Sequence, residues 1–532
     1  MVSTIGLVIT GTKPDYVEII TEKPQSVGTY VNILHQDGDC LGLIESSVAN
    51  SAAMNQDEMT DWATATETSR FARKDPRDIG YRSHVKIVGN IDTLKHGISK
   101  IPSVPPNPST EIHEVEIKTL QEIFAPQTDE WVGAGKLLRS DTVDVKINMD
   151  EIGSRHLAVL SMTGMGKSNF VTVLAREVAK LTGTMVIFDY HNDYDKMQLQ
   201  DKNGERVSVN HIDAQIKPSA VDNDKFADLI DIPTHATHQR DLLQELLTNE
   251  ILTSSTFWDD LEEVIENIIN EVNVEQPENA APQDADARAE RRNRKARARG
   301  LLPRVRRARR LYSRVIDPNA LEPRQALNPQ TVNVLNAARF NEKQADIGLA
   351  YYLETIFEDR KDAVMSELSE NNQDIIFRSP VLFVIEEAHT FIRQDGDTDT
   401  KDIAGKIAKE ARKFGLGLCI VSQRPAKVNE DILSQMGSFA VLKLIQKRDQ
   451  EAIANTSEDI TENLARSLSS LNNGEALFTG RFVKIPTLAQ IDDASKLKGG
   501  RGSDISVTTE WKKDAKMKKR NSSQDLIDKE DL

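Results

Sequence analysis

The sequence predicts an α/β protein in which a parallel sheet carries a phosphate-binding loop, with a small β-barrel before the sheet and a helical subdomain inserted into it. Three observations lead to this fold class. Wholly apolar runs such as HLAVL and LGLCIV recur through residues 126–217 and 329–492, as in strands covered on both faces. One run is followed by a glycine–lysine–serine turn and an amphipathic helix. Short strands with turn signals fill the first hundred or so residues.

Bulk composition narrows the class of protein. The chain has 532 residues, of which 39% are hydrophobic, enough for several buried cores. It has no run of about 18 apolar residues and no basic segment followed by an apolar run at its start. We therefore expect neither a membrane span nor a signal peptide. Two cysteines, Cys40 and Cys419, indicate a reducing compartment, so we expect a cytoplasmic protein.

Residues 1–125 are predicted to form the barrel and a linker. The stretch VGTYVNILHQDGDCLGLIESSV has an Asp-Gly turn between two β-type runs, which predicts a hairpin. SHVKIVGNI predicts a further strand. The proline-rich stretch IPSVPPNPST is typical of a linker.

The stretch LSMTGMGKSNF, residues 160–170, stands between an apolar strand and a helix. In such a turn successive backbone N–H groups face phosphate oxygens. Lys167 should reach the terminal phosphates of ATP, and Ser168 should offer its hydroxyl to Mg²⁺. Ser161 stands where such loops carry their first glycine, and we expect function to be kept because serine is small. The nucleotide-binding set is Thr163, Gly164, Met165, Gly166, Lys167, Ser168 and Asn169.

Two further strands end in polar residues. VLFVIEEAH delivers two carboxylates to the edge of the sheet where α/β folds place ligands. We expect Glu386 to hold Mg²⁺ through water and Glu387 to orient the attacking water. LCIVSQ ends in Gln423, whose amide could contact both the γ-phosphate and that water. A solvated strand end remains the alternative for each.

VIFDYHNDYDK places an acid–histidine–acid series after another apolar strand. Such an order is also found in metal sites. A polar network facing the nucleotide cleft is the interpretation we favour for Asp189, His191 and Asp193, and we do not assign His191 to a metal.

Together these motifs resemble the HerA family of hexameric helicase-translocases, which is related to FtsK. The likeness covers most of residues 1–490. RHLAVLSMTGMGKSN, VIEEAH, ARKFGLG, VSQRP, SQMGS and RDQEAI follow in the family's order. DYHNDY departs from the family's Asp-x-His-Gly-Glu-Tyr run, since Asn192 and Asp193 replace glycine and glutamate. The resemblance implies a RecA-like P-loop NTPase core beneath a capping barrel.

The resemblance also implies residue roles. Glu387 would be the catalytic carboxylate and Gln423 the sensor of nucleotide state. Arg412 resembles the arginine finger that one subunit supplies to its neighbour, although Lys413 is adjacent and a solvated helix end is the alternative. Arg155 matches a second arginine near the nucleotide.

The function implied is an ATP-driven homo-hexamer that moves along duplex DNA, with a NurA-type nuclease as its partner in DNA end resection and repair. An assembly platform for another effector enzyme in anti-phage defence is the alternative, since some relatives act in that way. A conjugative-type DNA pump is disfavoured because no membrane segment is found. ATPase activity that depends on DNA distinguishes the motor from the platform.

Residues 218–328 are predicted to form the helical insertion, and within it thirteen Arg and Lys residues lie between Arg288 and Arg314. This basic segment could contact DNA phosphates or could be a solvated or intersubunit surface. The overall charge of −16 does not decide between them, because a local patch can dominate binding. Residues 493–532 are rich in Gly, Lys and Ser and end acidic, so we predict a flexible tail.

Overall fold

The computed structural model describes residues 4–498 except 10, 52–53, 55–60, 73–78, 272–281, 367–374, 458–459 and 461, together with residue 508. Within this part of the chain lie a closed six-stranded barrel, an eleven-stranded sheet and a two-stranded ribbon. None of the helices in the described ranges has the length and apolar composition of a membrane span.

The barrel lies at the N-terminus, as predicted. Its strands follow the order β1-β2-β5-β4-β3-β6, and they are β1 (Thr4–Val8), β2 (Tyr16–Thr21), β3 (Tyr30–Ile33), β4 (Cys40–Ser51), β5 (Ile79–Asn90) and β6 (Glu111–Glu114). The predicted hairpin is confirmed, because β3 and β4 pair antiparallel. Three helices accompany the barrel: α1 (Trp62–Ala72), α2 (Ile91–Lys95) and α3 (Ile117–Phe124).

The linker interpretation of IPSVPPNPST is wrong. Strand β6 pairs with both β1 and β3 and thereby closes the barrel. The proline-rich stretch precedes β6, so it is a connection within the barrel. The sequence obscured this because β6 is only four residues long, EIHE, and carries a single fully buried apolar residue, Ile112.

The eleven-stranded sheet forms the core of the protein. Its order is β13-β14-β10-β15-β16-β9-β17-β18-β19-β7-β8. The strands are β7 (Trp131–Leu137), β8 (Ser140–Asn148), β9 (Leu157–Leu160), β10 (Thr184–Asp189), β13 (Asn210–Asp213), β14 (Val332–Asn336), β15 (Val381–Ile385), β16 (Leu416–Ser422), β17 (Ser438–Val441), β18 (Glu475–Gly480) and β19 (Thr487–Ile491). The ribbon pairs β11 (Leu199–Gln200) with β12 (Arg206–Val207).

The sheet has a parallel half and an antiparallel half. The strands β13, β14, β10, β15, β16, β9 and β17 run parallel to one another. Strands β18, β19, β7 and β8 continue the sheet in antiparallel pairs. All residues of β9, β10, β15 and β16 are buried, which explains their unbroken apolar sequences. Strand β16 lies between β9 and β15.

Helices cover both faces of the sheet, as the predicted fold class demands. The two hydrophobic clusters that flank the sheet draw on alternate residues of the same strand, for example Val186 and Ile187 of β10. The core helices are α4 (Met149–Arg155), α5 (Lys167–Lys180), α12 (Glu342–Ser366), α13 (Ala388–Phe391), α14 (Asp399–Glu410), α15 (Glu430–Leu433), α16 (Lys447–Thr456), α17 (Glu462–Ser467) and α18 (Ser495–Lys498).

The helical insertion is confirmed and lies between β13 and β14. Its helices are α6 (Asn223–Leu229), α7 (Thr237–Leu246), α8 (Asn249–Thr253), α9 (Phe257–Asn270), α10 (Pro282–Tyr312) and α11 (Pro323–Ala326). In α9 the buried residues Phe257, Leu261, Ile265 and Ile268 recur at helical spacing. They belong to the same hydrophobic cluster as residues of β10 and β15, so the insertion packs onto the core.

The predicted tail begins too early at residue 493. Helix α18 packs beside α5, and the Leu497 carbonyl accepts a hydrogen bond of 2.7 Å from the Gln198 N–H. The chain is thus ordered against the core to residue 498. The rest of the predicted tail lies outside the described residues, apart from residue 508.

Candidate functional site

The phosphate-binding loop joins β9 to α5. Gly164 and Gly166 have φ of 80° and 110°, which favour glycine because a side chain would clash with the backbone. Ser161 is fully buried, and it is not among the described residues with positive φ. Its N–H donates to the Ser422 carbonyl at 3.1 Å, and its hydroxyl donates to the Met162 carbonyl at 2.7 Å. Since the turn at this position does not need glycine, serine fits.

A cavity of about 790 Å³ opens beside this loop. Most of the predicted residues line it, namely Thr163, Gly164, Gly166, Lys167, Ser168, Asn169, Glu386, Glu387 and Gln423. Three predicted residues do not line it: Met165, Arg155 and Arg412. The backbone of Met165 connects the loop to a neighbouring segment, because its carbonyl accepts a hydrogen bond of 3.2 Å from the Gly474 N–H.

Lys167 and Ser168 face acidic groups across the cavity. Burial lowers the pKa of Lys167, while the charges of Glu387, Glu386 and Asp193 oppose that shift. The Ser168 hydroxyl donates to an Asp193 carboxylate oxygen at 2.8 Å. The hydroxyl proton is thereby engaged, and the oxygen lone pairs are free for a cation.

Glu386 is buried at the end of β15. Burial raises its pKa to about 7, against smaller lowering effects from the Tyr194 hydrogen bond and the Lys167 charge. The Tyr194 hydroxyl donates to Glu386 Oε1. This carboxyl therefore changes charge near neutral pH, which makes any cation that it holds pH-dependent.

Glu387 is held by three side chains. Gln423 Nε2 donates to its Oε2 at 3.0 Å, His389 Nδ1 lies 3.2 Å from the same oxygen, and His191 Nε2 lies 3.6 Å from Oε1. Burial alone would raise the pKa of Glu387, but the hydrogen bond with His191 and the neighbouring positive charges lower it overall. Glu387 also has a left-handed backbone, with φ of 51°, a strained state typical of functional positions.

Gln423 connects the loop to this carboxylate. The Thr163 hydroxyl donates to Gln423 Oε1, and the Gln423 amide donates to Glu387. A hydrogen-bonded chain therefore runs from the phosphate loop through the tip of β16 to the tip of β15. This is the position expected of a group that contacts both phosphate and water.

The polar-network interpretation of DYHNDY is confirmed. Asp189 accepts the N–H groups of Asp193 and Tyr194, both at 2.9 Å, and burial raises the pKa of Asp189. Within the described residues no cluster of three or more His, Cys, Asp or Glu side chains could hold a metal ion. Ser168 and Glu386 fit a Mg²⁺ ion only if phosphate oxygens complete its coordination, as in nucleotide sites.

A further wall of the cavity, next to the loop, was not predicted; it is formed by Asn473, Gly474, Gln490, Ile491, Asp493 and Ser495. The side chain of Asn169 fastens this segment to α5, since it donates to the Asp492 carbonyl and accepts the Ala494 N–H, both at 2.8 Å. These residues lie more than three hundred positions from the loop. The stretch NNGEALFTG, which contains Asn473 and Gly474, resembles the closing strand segment of the family, but its place beside the nucleotide cavity was not predicted.

The two predicted arginines lie near the amino ends of the parallel strands, whereas the phosphate-binding loop follows a carboxyl end. Arg155 ends α4 just before β9, and its Nε contacts Glu151 at 3.0 Å. Arg412 lies in a 3-10 turn, Ala411–Lys413, just before β16, and both Arg412 and Lys413 are exposed. Neither predicted arginine reaches the cavity of its own chain.

The sequence of the chain is similar to those of known proteins. The family model for the central domain of helicase HerA matches residues 132–356. A protein of Sulfolobus acidocaldarius, described as a DNA double-strand break repair helicase HerA, is 33% identical over 520 residues, which cover 96% of this chain and 97% of that protein. A protein of Sulfurisphaera tokodaii with the same description is 31% identical over 513 residues, covering 96% of each chain. The solved structure of VirB4 of Thermoanaerobacter pseudethanolicus aligns with 70% of this chain and 99% of its own at 14% identity, with a TM-score of 0.45.

Proposed function

The chain belongs to the HerA family of helicases, and from this membership we propose that it is a hexameric ring that hydrolyses ATP to move along duplex DNA. It is an ATPase of the helicase type. The observation that carries the proposal is the hydrogen-bonded chain from Thr163 through Gln423 to Glu387. It connects the phosphate loop to the carboxylate that would act on water.

The residues around the cavity have distinct tasks in hydrolysis. Backbone N–H groups at the start of α5 and the Lys167 ammonium would bind the phosphates of ATP. Glu387 would accept a hydrogen bond from water and orient it for in-line attack on the γ-phosphate. Its lowered pKa keeps it ionised at neutral pH. The Gln423 amide would contact the same water and so detect loss of the γ-phosphate.

Ser168 and Glu386 are the residues that would hold Mg²⁺, the latter through water. When bound, this ion would neutralise negative charge on the β- and γ-phosphates. The hydrogen bond from Ser168 to Asp193 fixes the hydroxyl so that its lone pairs face away from the carboxylate.

The ring is supported by the position of Arg412. The proposed nucleotide site lies at the carboxyl ends of the parallel strands, whereas Arg412 precedes the amino end of β16. An exposed guanidinium there suits the γ-phosphate of an adjacent subunit. Arg155 shares this edge, because α4 packs beside the turn that holds Arg412, and we propose that it too acts on the neighbouring site.

We further propose that the ring acts with a nuclease in DNA end resection. The relatives described as DNA double-strand break repair helicases support a role in repair, and the nuclease partner is our proposal. Adding a NurA-type nuclease should then produce DNA degradation that requires ATP. Degradation that is the same with and without ATP would argue against this partnership.

The motor itself is tested by ATP hydrolysis and by displacement of a protein roadblock from duplex DNA. We expect DNA to stimulate hydrolysis and the roadblock to be removed only with ATP. Lys167→Ala provides the inactive control. Hydrolysis that is indifferent to DNA, with no roadblock displacement, would refute the motor and favour an ATP-dependent assembly platform.

A further inference from the structure

Helix α10 and the residues just after it carry thirteen basic side chains, which the structure divides into two sets. One set contacts acidic side chains or backbone carbonyls, and its members are Arg294, Lys295, Arg297, Arg304, Arg306, Arg307 and Arg309. Their partners lie mainly on α7, on α9 and just after α6. For example, Arg309 lies 2.7 Å from Asp259 and 3.2 Å from Glu262. This set stabilises the packing of the insertion. Five of its members are neutralised by carboxylates, whereas Lys295 and Arg304 are held by backbone carbonyls.

The second set is exposed and has no ion-pair or hydrogen-bond partner for its side chains among the described residues. Its members are Arg288, Arg291, Arg292, Arg299, Arg310 and Arg314. Four of them are aligned on the helix. At about 100° per residue, Arg288, Arg292, Arg299 and Arg310 fall within roughly 40° of one another, on the side away from the buried Leu301. We call these four residues the arginine stripe.

The length of the stripe matches duplex DNA. Its ends are 22 positions apart, which at about 1.5 Å per residue gives roughly 33 Å. One turn of B-form DNA is about 34–36 Å long. We propose that the arginine stripe binds the phosphate backbone of duplex DNA as a contact additional to the ring's motor machinery. This inference rests on the proposed function, since it assumes that DNA is the substrate.

The chemistry of the stripe favours backbone phosphates. Guanidinium groups bind phosphate in bidentate fashion, and all four members are arginine. Tyr312, the aromatic residue of α10, is 3% exposed, so the face lacks the aromatic platforms on which single-stranded bases stack. The contact would therefore be independent of base sequence.

A protein partner fits the face poorly. Protein interfaces have an apolar core surrounded by polar groups, whereas only Ala296 and Pro303 interrupt this face with exposed apolar side chains. The exposed large hydrophobic residue of α10, Leu311, lies about 100° around the helix from Arg310. An acidic surface of a second copy is the remaining competitor, and the experiment below distinguishes it.

The test measures duplex binding by the full chain as a function of salt. Each lost phosphate contact reduces the slope of log K against log salt by about 0.9. Replacing all four stripe residues with glutamine should reduce it by up to about 3.6. Arg292→Gln with Arg299→Gln should remove about 1.8, while the matched pair Arg294→Gln with Arg297→Gln, interleaved on the same helix, should leave it unchanged.

Three outcomes would refute the proposal that the arginine stripe binds duplex DNA. An unchanged slope, or an equal loss in the matched pair, removes the stripe as the specific contact. A change in ring mass without a change in slope identifies an acidic surface of another copy as the partner. DNA-independent ATPase activity and thermal melting are measured on the same variants, and both should match those of the unaltered chain. Absence of salt-dependent duplex binding and DNA-stimulated hydrolysis in the unaltered chain would refute the proposed function instead.

Discussion

Arg412→Ala should bind ATP and assemble into rings, yet lose most of its hydrolysis. The turn that holds Arg412 precedes β16, whereas Gln423 follows that strand. Seven residues at about 3.3 Å each place these ends roughly 23 Å apart, a distance that an arginine side chain cannot span. The residue can therefore stabilise a phosphate only in another subunit. Such fingers contribute about a thousandfold or more to turnover.

Mixing two inactive variants tests this arrangement. Glu387→Gln retains Arg412, and Arg412→Ala retains Glu387. In a ring assembled from equal amounts of the two, about a quarter of the head-to-tail interfaces combine an intact Glu387 with an intact Arg412. If single interfaces fire independently, about a quarter of the normal rate should return.

The assay follows phosphate release after subunit exchange, with mass photometry showing that rings have mixed. Lys413→Ala, which changes the exposed neighbour in the same turn, is the matched control and should retain activity on its own. No recovery in rings shown to be mixed would refute independent action of Arg412 in trans. Full activity of Arg412→Ala alone would refute its role altogether.

Further predictions concern the nucleotide cavity. Lys167→Ala should weaken ATP binding and abolish hydrolysis because a charge at the phosphates is lost, whereas Glu387→Gln should bind ATP without hydrolysing it. Fluorescent-nucleotide binding and phosphate release distinguish the two variants. Near-normal hydrolysis by both would contradict the assignment of the site. The Mg²⁺ concentration needed for hydrolysis should rise as pH falls through about 7, because protonation removes the charge of Glu386. Tyr194→Phe should move that midpoint to higher pH, since the tyrosine hydrogen bond lowers the pKa of Glu386; an unshifted midpoint would contradict the assignment. Ser161→Gly should change turnover by less than about tenfold, because the phosphates are held by backbone groups further along the loop; a larger loss in steady-state kinetics would give the buried hydroxyl a role in catalysis.

Local patterns were enough to predict the parallel half of the sheet except β13, whose sequence NHID is not an apolar run. Strands such as β10 and β15 are buried on both faces, so their sequences are continuous apolar runs bounded by polar tips. The tips also made Glu387 and Gln423 candidates, because parallel strands deliver their carboxyl ends to one side of the sheet, and both line the same cavity. The confirmed parts of the prediction are therefore those for which a short stretch of sequence shows both that a strand is buried and which polar residues follow it.

The remaining parts depend on contacts between distant segments. Strand β19 (Thr487–Ile491) pairs with β7. This pairing joins a late segment of the chain to one that precedes the phosphate loop, and it brings Gln490 and Asp493 to the cavity. The ion pair between Arg294 and Glu245 likewise joins separate helices. Charge counts along α10 could not reveal which arginines are neutralised, because their partners lie on other elements.

Strand β16 links two chemical roles within one rigid element. All seven of its residues are buried, and parallel neighbours hold it on both sides. Gln423 follows its carboxyl end and contacts Glu387 of the same chain, while Arg412 precedes its amino end. If Arg412 acts on the adjacent subunit as proposed, a displacement of Gln423 on loss of the γ-phosphate cannot be absorbed by bending so tightly packed a strand. The amino end of β16 must then move with its carboxyl end. Hydrolysis at one site would thus alter the position of Arg412 at the site of the adjacent subunit.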